Sequence, residues 1–353
     1  MATWKDKIDI TLESGQSVVA QAPQIVSASR STDIPAFYAD WFFHRLKIGY
    51  SVWTNPFNGV KSYVAYKNTR FIVFWSKNPR PLLAHLDKLA DRGINCYIQF
   101  TLNDYEQDGL EKNVPPLEER IETFHLLKDK LGFNGVIWRF DPMILTETIG
   151  VDELLRKVEN IGNQLKDATK KLVFSFADIH EYRKVETNLK HNNIPYHIWD
   201  LPQMEQFAEG LSELNKTWGL QLATCGEKID IVQYGIEHNR CIDGDLIVQR
   251  AYNDKLLMDF MNVKFQAPEP SIFGDNNIPD GAIMLPNGQY FISVHKKDKG
   301  QREFCDCMAA KDIGEYNTCP HQCEYCYANT SKDTAVTNWK RHKNNPFGER
   351  ISG

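Results

Sequence analysis

The sequence predicts an α/β protein in which strands and helices alternate, a (β/α) barrel of the TIM type. Three observations predict it. Seven short, β-rich apolar runs recur between about Gln24 and Cys225, and each ends in polar residues. Amphipathic segments of helical period lie between them. Gly49, Gly93, Gly132 and Gly219 each fall where a helix should stop. Alternation of this kind implies parallel strands buried on both faces, which is why the runs are almost continuously apolar.

In chain order, an N-terminal β-hairpin is expected over residues 1–23, with SG turning between KIDITLE and QSVVAQ. Residues 24–225 then carry the barrel units. The strand runs are QIVSAS (Gln24–Ser29), YSVWTN (Tyr50–Asn55), FIVFWS (Phe71–Ser76), CYIQFT (Cys96–Thr101), VIWRF (Val136–Phe140), LVFSF (Leu172–Phe176) and LQLATC (Leu220–Cys225). The helical segments are AFYADWFFHRLKIG, PRPLLAHLDKLADRG, PLEERIETFHLLKDKLG, VDELLRKVENIGNQLKD and MEQFAEGLSELNKTWG. Seven units without an obvious break favour a barrel. A doubly wound open sheet is the alternative, although SASRSTD after the first run is not a glycine-rich dinucleotide fingerprint. Residues 226–353 form a cysteine-rich C-terminal region. It holds a helical stretch, GDLIVQRAYNDKLLMDFM, a loop, APEPSIFGDNNIPDG, and a hairpin, IMLPNGQYFISV, around Pro286, Asn287 and Gly288.

Composition narrows the class of function. A net charge of -5 over 353 residues gives no overall basic field to advertise a nucleic-acid binder. No apolar run is long enough to span a bilayer, and MATWKDKIDITLESG has no apolar core of the secretory kind. A cytoplasmic protein without a membrane partner is expected, and there clustered cysteines hold metal more often than they form disulfides.

The C-terminal ends of barrel strands form the mouth where ligands bind. The polar residues there are Ser29, Arg30, Asp33, Asn55, Lys77, Asn78, Gln99, Thr101, Arg139, Asp141, Ser175 and Asp178. Gln99 interrupts an apolar strand and Arg139 follows Val136-Ile137-Trp138, so both need a partner or a ligand. The bland alternative pairs Arg139 with Asp141, and Arg30 with Asp33, as local ion pairs. Trp53, Trp75 and Trp138 read as packing residues, and Cys96 as core.

Near the C-terminus, TCPHQCEYCYANT spaces Cys319, Cys323 and Cys326 as C-x3-C-x2-C. Three thiolates at this spacing can wrap one iron–sulfur cluster, whereas an ordinary [4Fe–4S] cluster takes four. The open iron would invite a further ligand, as the vacancy of a catalytic zinc does. A zinc site completed by His321 or a distant ligand is the alternative.

With Tyr325 before the last cysteine, the motif resembles that of the radical S-adenosylmethionine enzymes. The chain also resembles an uncharacterised bacterial family of unknown function that has such a cluster at its C-terminus. That second resemblance rests on SASRSTDIPAFY, FWSKNP, FTLNDY, VIWRFDP, and QREFCDC through DIGEYNTCPHQCEYCYAN. The superfamily resemblance implies a full or partial (β/α) barrel, an open iron that chelates S-adenosylmethionine, and a 5′-deoxyadenosyl radical that abstracts hydrogen from a substrate. It also implies an electron donor such as flavodoxin or ferredoxin. Tyr325 would lie near the adenine, Asn78 and Ser175 would contact the cofactor, and Arg30, Gln99, Arg139 and Asp141 would hold cofactor or substrate. In most of the superfamily the motif follows the first strand, so its late position implies a permuted barrel. DIGEY would then be the last strand, and ANTSKDTAVTNWKRH the helix after the cluster loop.

Four more cysteines, Cys225, Cys241, Cys305 and Cys307, suffice for a second closed site, either a [4Fe–4S] cluster or zinc. The alternative is four unrelated buried thiols. Two other functions stay open. One is a binding protein whose C-terminal segment is stapled to the barrel by metal. The other is a nucleic-acid repair or modification protein using WKRHKNN (Trp339–Asn345) or HKKDKGQR (His295–Arg302), although such runs are more often solvated faces.

Overall fold

A computed structural model describes residues 6–270, 276–294 and 297–353. Its first half contains strands β1 (Lys7–Thr11), β2 (Ser17–Gln21), β3 (Ile25–Ala28), β4 (Tyr50–Thr54), β5 (Lys61–Ala65), β6 (Phe71–Ser76), β7 (Asn95–Thr101), β8 (Val136–Met143), β9 (Leu145–Thr146) and β10 (Lys171–Phe176). Then come β11 (Tyr196–His197), β12 (Gln221–Thr224), β13 (Ile236–His238), β14 (Glu269–Pro270), β15 (Asn276–Asn277), β16 (Ala282–Met284), β17 (Tyr290–Ile292) and β18 (Lys311–Asp312). The helices are α1 (Ile34–Phe37), α2 (Ala39–Ile48), α3 (Leu86–Ala90), α4 (Leu117–Leu131), α5 (Val151–Leu165), α6 (Arg183–His191), α7 (Leu201–Trp218), α8 (Gly244–Ala251), α9 (Lys255–Met261) and α10 (Lys332–Asn344).

Eight of the strands make one sheet, in the order β18-β3-β6-β7-β8-β10-β12-β13, and every neighbouring pair is parallel. The order follows the chain with one exception. The last strand, β18, lies beside β3, ahead of every other member.

Period-two alternation gives the sheet two apolar faces. Ile72, Phe74, Ile98, Phe100, Trp138, Phe140, Leu172 and Phe174 pack in one core with residues of α2, α4, α5 and α7. Ile25, Phe71, Val73, Tyr97, Ile137 and Val173 belong to a second core, which residues of α8, α9 and the β16–β17 hairpin complete. The C-terminal region is thus part of the interior. Helices α8 and α9 start on aspartates, with Asp243 accepting from Asp245 N and Asp254 from Leu257 N. Among the described residues, no helix is long and apolar enough to cross a membrane.

Six of the seven expected strands join the parallel sheet, and Tyr50–Thr54 does not. It pairs antiparallel with β5, in a separate sheet ordered β1-β2-β5-β4. The connection explains the difference. Asn55–Val60 is a six-residue link containing Pro56, Asn58 and Gly59, whereas a parallel return needs a dozen or more residues. The expected hairpins form at β1–β2 and β16–β17. The helix expected over AFYADWFFHRLKIG divides into α1 and α2, and PRPLLAHLDKLADRG begins as a 3₁₀ turn, Arg80–His85. Helix α6 was not expected, because its polar sequence buries only Val185 and Leu189, one turn apart.

The strand expected at DIGEY is short, only Lys311 and Asp312, but it is anchored to β3 by one carboxylate. Asp312 accepts from Ser27 Oγ at 2.8 Å, Arg30 N at 2.8 Å, Ser31 Oγ at 3.2 Å and Gly314 N at 2.9 Å. Gly314 sits so close that an added Cβ would lie 1.7 Å from Ser29 Oγ and 2.6 Å from Ser31 Oγ. Gly314→Ala should therefore destabilise the protein by about 1–3 kcal/mol in urea unfolding. An unchanged midpoint would show that the closing strand is not seated this tightly.

Candidate functional site

A cavity of about 510 Å³ lies at the C-terminal ends of the parallel strands. Ser29 to Asp33, Trp75 to Lys77, Thr101, Arg139, Asp141 and Ser175 contribute from those ends. Cys225, Glu227, Cys241, Cys305 and Cys307 line it as well, together with Cys319, His321, Cys323 and Tyr325 to Ala328. Seven of the eight cysteines therefore face one cavity, and Cys96 is buried in the core apart from them.

The loop carrying Cys319, Cys323 and Cys326 is fixed from both ends of the sequence. Tyr38 Oη donates to the Thr318 carbonyl at 2.5 Å, and Asn329 Nδ2 donates to that of Cys319 at 2.9 Å. The β7–α4 connection grips the loop's middle: Asn113 donates to His321 O and Pro320 O, and Glu324 N donates to Leu110 O. Gln322 takes a left-handed conformation at φ 58°, which reverses the chain between the first two cysteines. Behind the loop, Trp339 of α10 packs edge-on against Phe37 and Tyr38.

The three thiols sit in a low-dielectric setting, and burial pushes all three pKa values up. Counteracting features are built in. The His321 N–H faces the sulfur of Cys319, and the N–H groups of Asn329 and Ala328 face that of Cys326. The ammonium of Lys77 acts on Cys323 and Cys326 in the same sense.

Lys77 is held by Glu111 Oε1 and Tyr325 Oη, each at 2.8 Å. Glu111 Oε1 also accepts from Asn103 Nδ2 at 3.1 Å and from Tyr325 Oη, while Oε2 lies 3.7 Å from Arg120 Nη1. Burial opposes ionisation of Glu111, yet Lys77 and Arg120 bring its pKa below the ordinary range. Tyr325, the aromatic residue of the motif, is locked by these bonds to Lys77, Asn103 and Glu111.

Both ring nitrogens of His321 are engaged here: Nε2 is 2.9 Å from Asp33 Oδ2 and Nδ1 is 3.1 Å from Asn113 O. Among the described residues, no group of three or more His, Cys, Asp or Glu side chains converges as a ready cage for one metal ion.

The other four thiols gather on the same cavity: Cys225 Sγ lies 3.3 Å from Cys241 Sγ, and Cys305 and Cys307 line it as well. Arg139 Nη1 donates to Cys241 Sγ at 3.1 Å, as does Asn239 Nδ2 at 3.2 Å, and Ile242 N donates to Cys307 Sγ at 3.4 Å.

The strand-end residues divide. Arg139 and Asp141 are an ion pair at 2.5 Å, as the bland alternative has it, and Ser175 Oγ donates to Asp141 Oδ1. Arg30 does not pair with Asp33; its Nη1 donates to Gln301 Oε1 at 3.0 Å, and its guanidinium lies 5.5 Å from the Trp75 ring centre. Gln99 is buried and used up, donating to Cys241 O at 2.9 Å and accepting from Arg139 Nη1 at 3.3 Å, so it supports the wall. Asn78 is outside the cavity lining; its Oδ1 accepts from Arg80 N at 3.4 Å across the turn after β6. Asn55 likewise belongs to the β4–β5 link, where it accepts from Phe57 N.

Sequence reasoning missed Asn103, Glu111, Glu227 and Asp312. Glu227 Oε1 accepts from Phe176 N at 2.9 Å, and burial, with Asp178 nearby, pushes its carboxyl up to about 8. Each is an isolated polar residue in a loop or at a strand end, without periodicity to mark it.

Fold and site together define an α/β protein with a thiol-lined cavity at the C-terminal ends of a parallel sheet. Residues 25–328 match the model of the family described as Domain of unknown function (DUF1848), and the chain belongs to that family. No curated protein matched the chain. The search of solved structures likewise gave no match.

The ion network behind the loop gives a prediction. Glu111→Gln leaves Lys77 and Arg120 facing a neutral amide in the interior, and should cost about 3 kcal/mol in urea unfolding. A loss below about 0.5 kcal/mol, in the range of exposed pairs, would show that the network does not hold the loop.

Proposed function

We propose that this protein is a radical S-adenosylmethionine enzyme, with a cluster held by Cys319, Cys323 and Cys326. The observation that carries the reading is one loop presenting three thiols and a fixed aromatic residue to a cavity at the strand ends. The donor set suits an iron–sulfur cluster. Backbone N–H groups already face two of the sulfurs, Lys77 offsets their negative charge, and three thiolates leave one iron without a protein ligand. Bound there, such a cluster with S-adenosylmethionine supplies one-electron cleavage of a carbon–sulfur bond, and so a carbon radical able to take hydrogen from a substrate.

The sheet order supports a permuted barrel. With β18 beside β3, the cluster loop follows the strand that is first in space though last in the chain. A motif that usually follows the first strand then keeps its place in three dimensions.

The chain's own residues do the rest. Tyr325 is positioned to line the cofactor pocket, while Lys77, Glu111 and Asn103 hold its hydroxyl. Arg139, Asp141 and Ser175 present a pre-formed polar group at the ends of β8 and β10, suited to the amino acid or ribose portion of a ligand. Glu227 and Asp178 lie on the same cavity and would meet substrate. Surrounding aromatics, Trp75, Phe176, Tyr316 and Tyr327, limit water around a reactive intermediate.

Reconstitution with iron and sulfide under anaerobic conditions, then reduction in the presence of S-adenosylmethionine, should yield 5′-deoxyadenosine. Cys319→Ala should yield none. Equal amounts from both proteins, or none from either, would sink the radical reading. Zinc retained after aerobic purification, with loss of fold on chelation, would instead favour a metal-stapled binding protein.

A further inference from the structure

Four cysteines of the cavity take no part in that chemistry. They come from three separate segments: Cys225 after β12, Cys241 before α8, and Cys305 with Cys307 ahead of β18. Four scattered thiols assembling on one cavity wall is not what independent core cysteines do, because those bury as small hydrophobes wherever space allows. Here Cys225 Sγ and Cys241 Sγ lie 3.3 Å apart, and Cys305 and Cys307 line the same cavity.

The groups around these sulfurs are donors. Arg139 Nη1, Asn239 Nδ2 and Ile242 N all donate to sulfur, a pattern that stabilises thiolate rather than thiol. The guanidinium of Arg30 faces Cys307, Cys241 and Cys305. Two cations, Arg30 and the buried Arg139, therefore stand beside the four sulfurs, matching the net charge that four thiolates leave on a doubly positive centre.

One feature favours a cluster over a single zinc ion. Arg30 Nε is buried without a hydrogen-bond partner. The inorganic sulfides of a cluster offer acceptors for such a donor, and a tetrathiolate zinc offers none beyond the cysteines.

We propose that Cys225, Cys241, Cys305 and Cys307 hold a second [4Fe–4S] cluster with all four irons ligated by protein, on the wall bearing Arg30 and Arg139. Each thiol gives up its proton to solvent as it binds iron. The assignment does not depend on what the first three thiols bind, and its test removes them.

A Cys319→Ala/Cys323→Ala/Cys326→Ala variant of the full chain, reconstituted anaerobically with ferric iron, sulfide and dithiothreitol, should hold about four irons and four sulfides per chain. It should also give a reduced-cluster EPR signal. Adding Cys241→Ser and Cys307→Ser should abolish both, with circular dichroism confirming that the chain is still folded. Failure of this variant to fold would leave the first comparison decisive. Arg30→Gln in the first-set variant, which keeps all four thiols, should shift the EPR signal. A first-set variant that takes up no iron, or that takes up zinc but no sulfide, would overturn the proposal.

Discussion

One carboxylate joins the two ends of this fold. Asp312 accepts from Ser27, Arg30, Ser31 and Gly314, and so ties the last strand to the first. Two residues of strand would be a weak ladder alone. Three hydrogen bonds from Ser27, Arg30 and Ser31 to a charged acceptor, with a glycine that admits close approach, make it a fixed seam. The cysteine loop begins seven residues later, and Arg30 is held in place through its own N–H.

The cavity is unusual in its electrical make-up. Thiols are neutral where burial dominates, and here burial raises the pKa of Cys319, Cys323 and Cys326. Yet the same walls carry Lys77, Arg30 and Arg139, and backbone N–H groups that face sulfur. A protein keeps buried cations next to buried thiols at a desolvation cost. The arrangement suits thiolates, the form in which the thiols would bind the proposed cluster. Glu111 then has a clear role: it neutralises Lys77 and Arg120 from behind and fixes Tyr325 at the same time.

The parallel sheet was legible because burial on both faces leaves continuous apolar runs, and six of seven runs became its strands. Tyr50–Thr54 misled because its apolar run is equally strong. What decided its partner was the shortness of the link to Lys61, a constraint on connection rather than on composition. The strand at Lys311–Asp312 shares only Asp312 with the expected DIGEY run, and the helix at Lys332–Asn344 overlaps the expected ANTSKDTAVTNWKRH. Of the site, the cysteines and Arg30, Arg139, Asp141, Ser175 and Tyr325 do line one cavity. Gln99 and Asn78 do not act as exposed ligands, because an interior glutamine finds local partners and a turn asparagine caps its own backbone. Glu111 and Asp312 were invisible, since a carboxylate's partners lie far off in sequence and only folding brings them together.

The proposed radical chemistry requires an open iron held by Cys319, Cys323 and Cys326. Low-temperature EPR of the reconstituted, dithionite-reduced protein, recorded with and without S-adenosylmethionine, addresses that iron directly. The account predicts that S-adenosylmethionine changes one component of the spectrum, and that this component is missing in Cys323→Ala. A spectrum unaltered by saturating S-adenosylmethionine would contradict it.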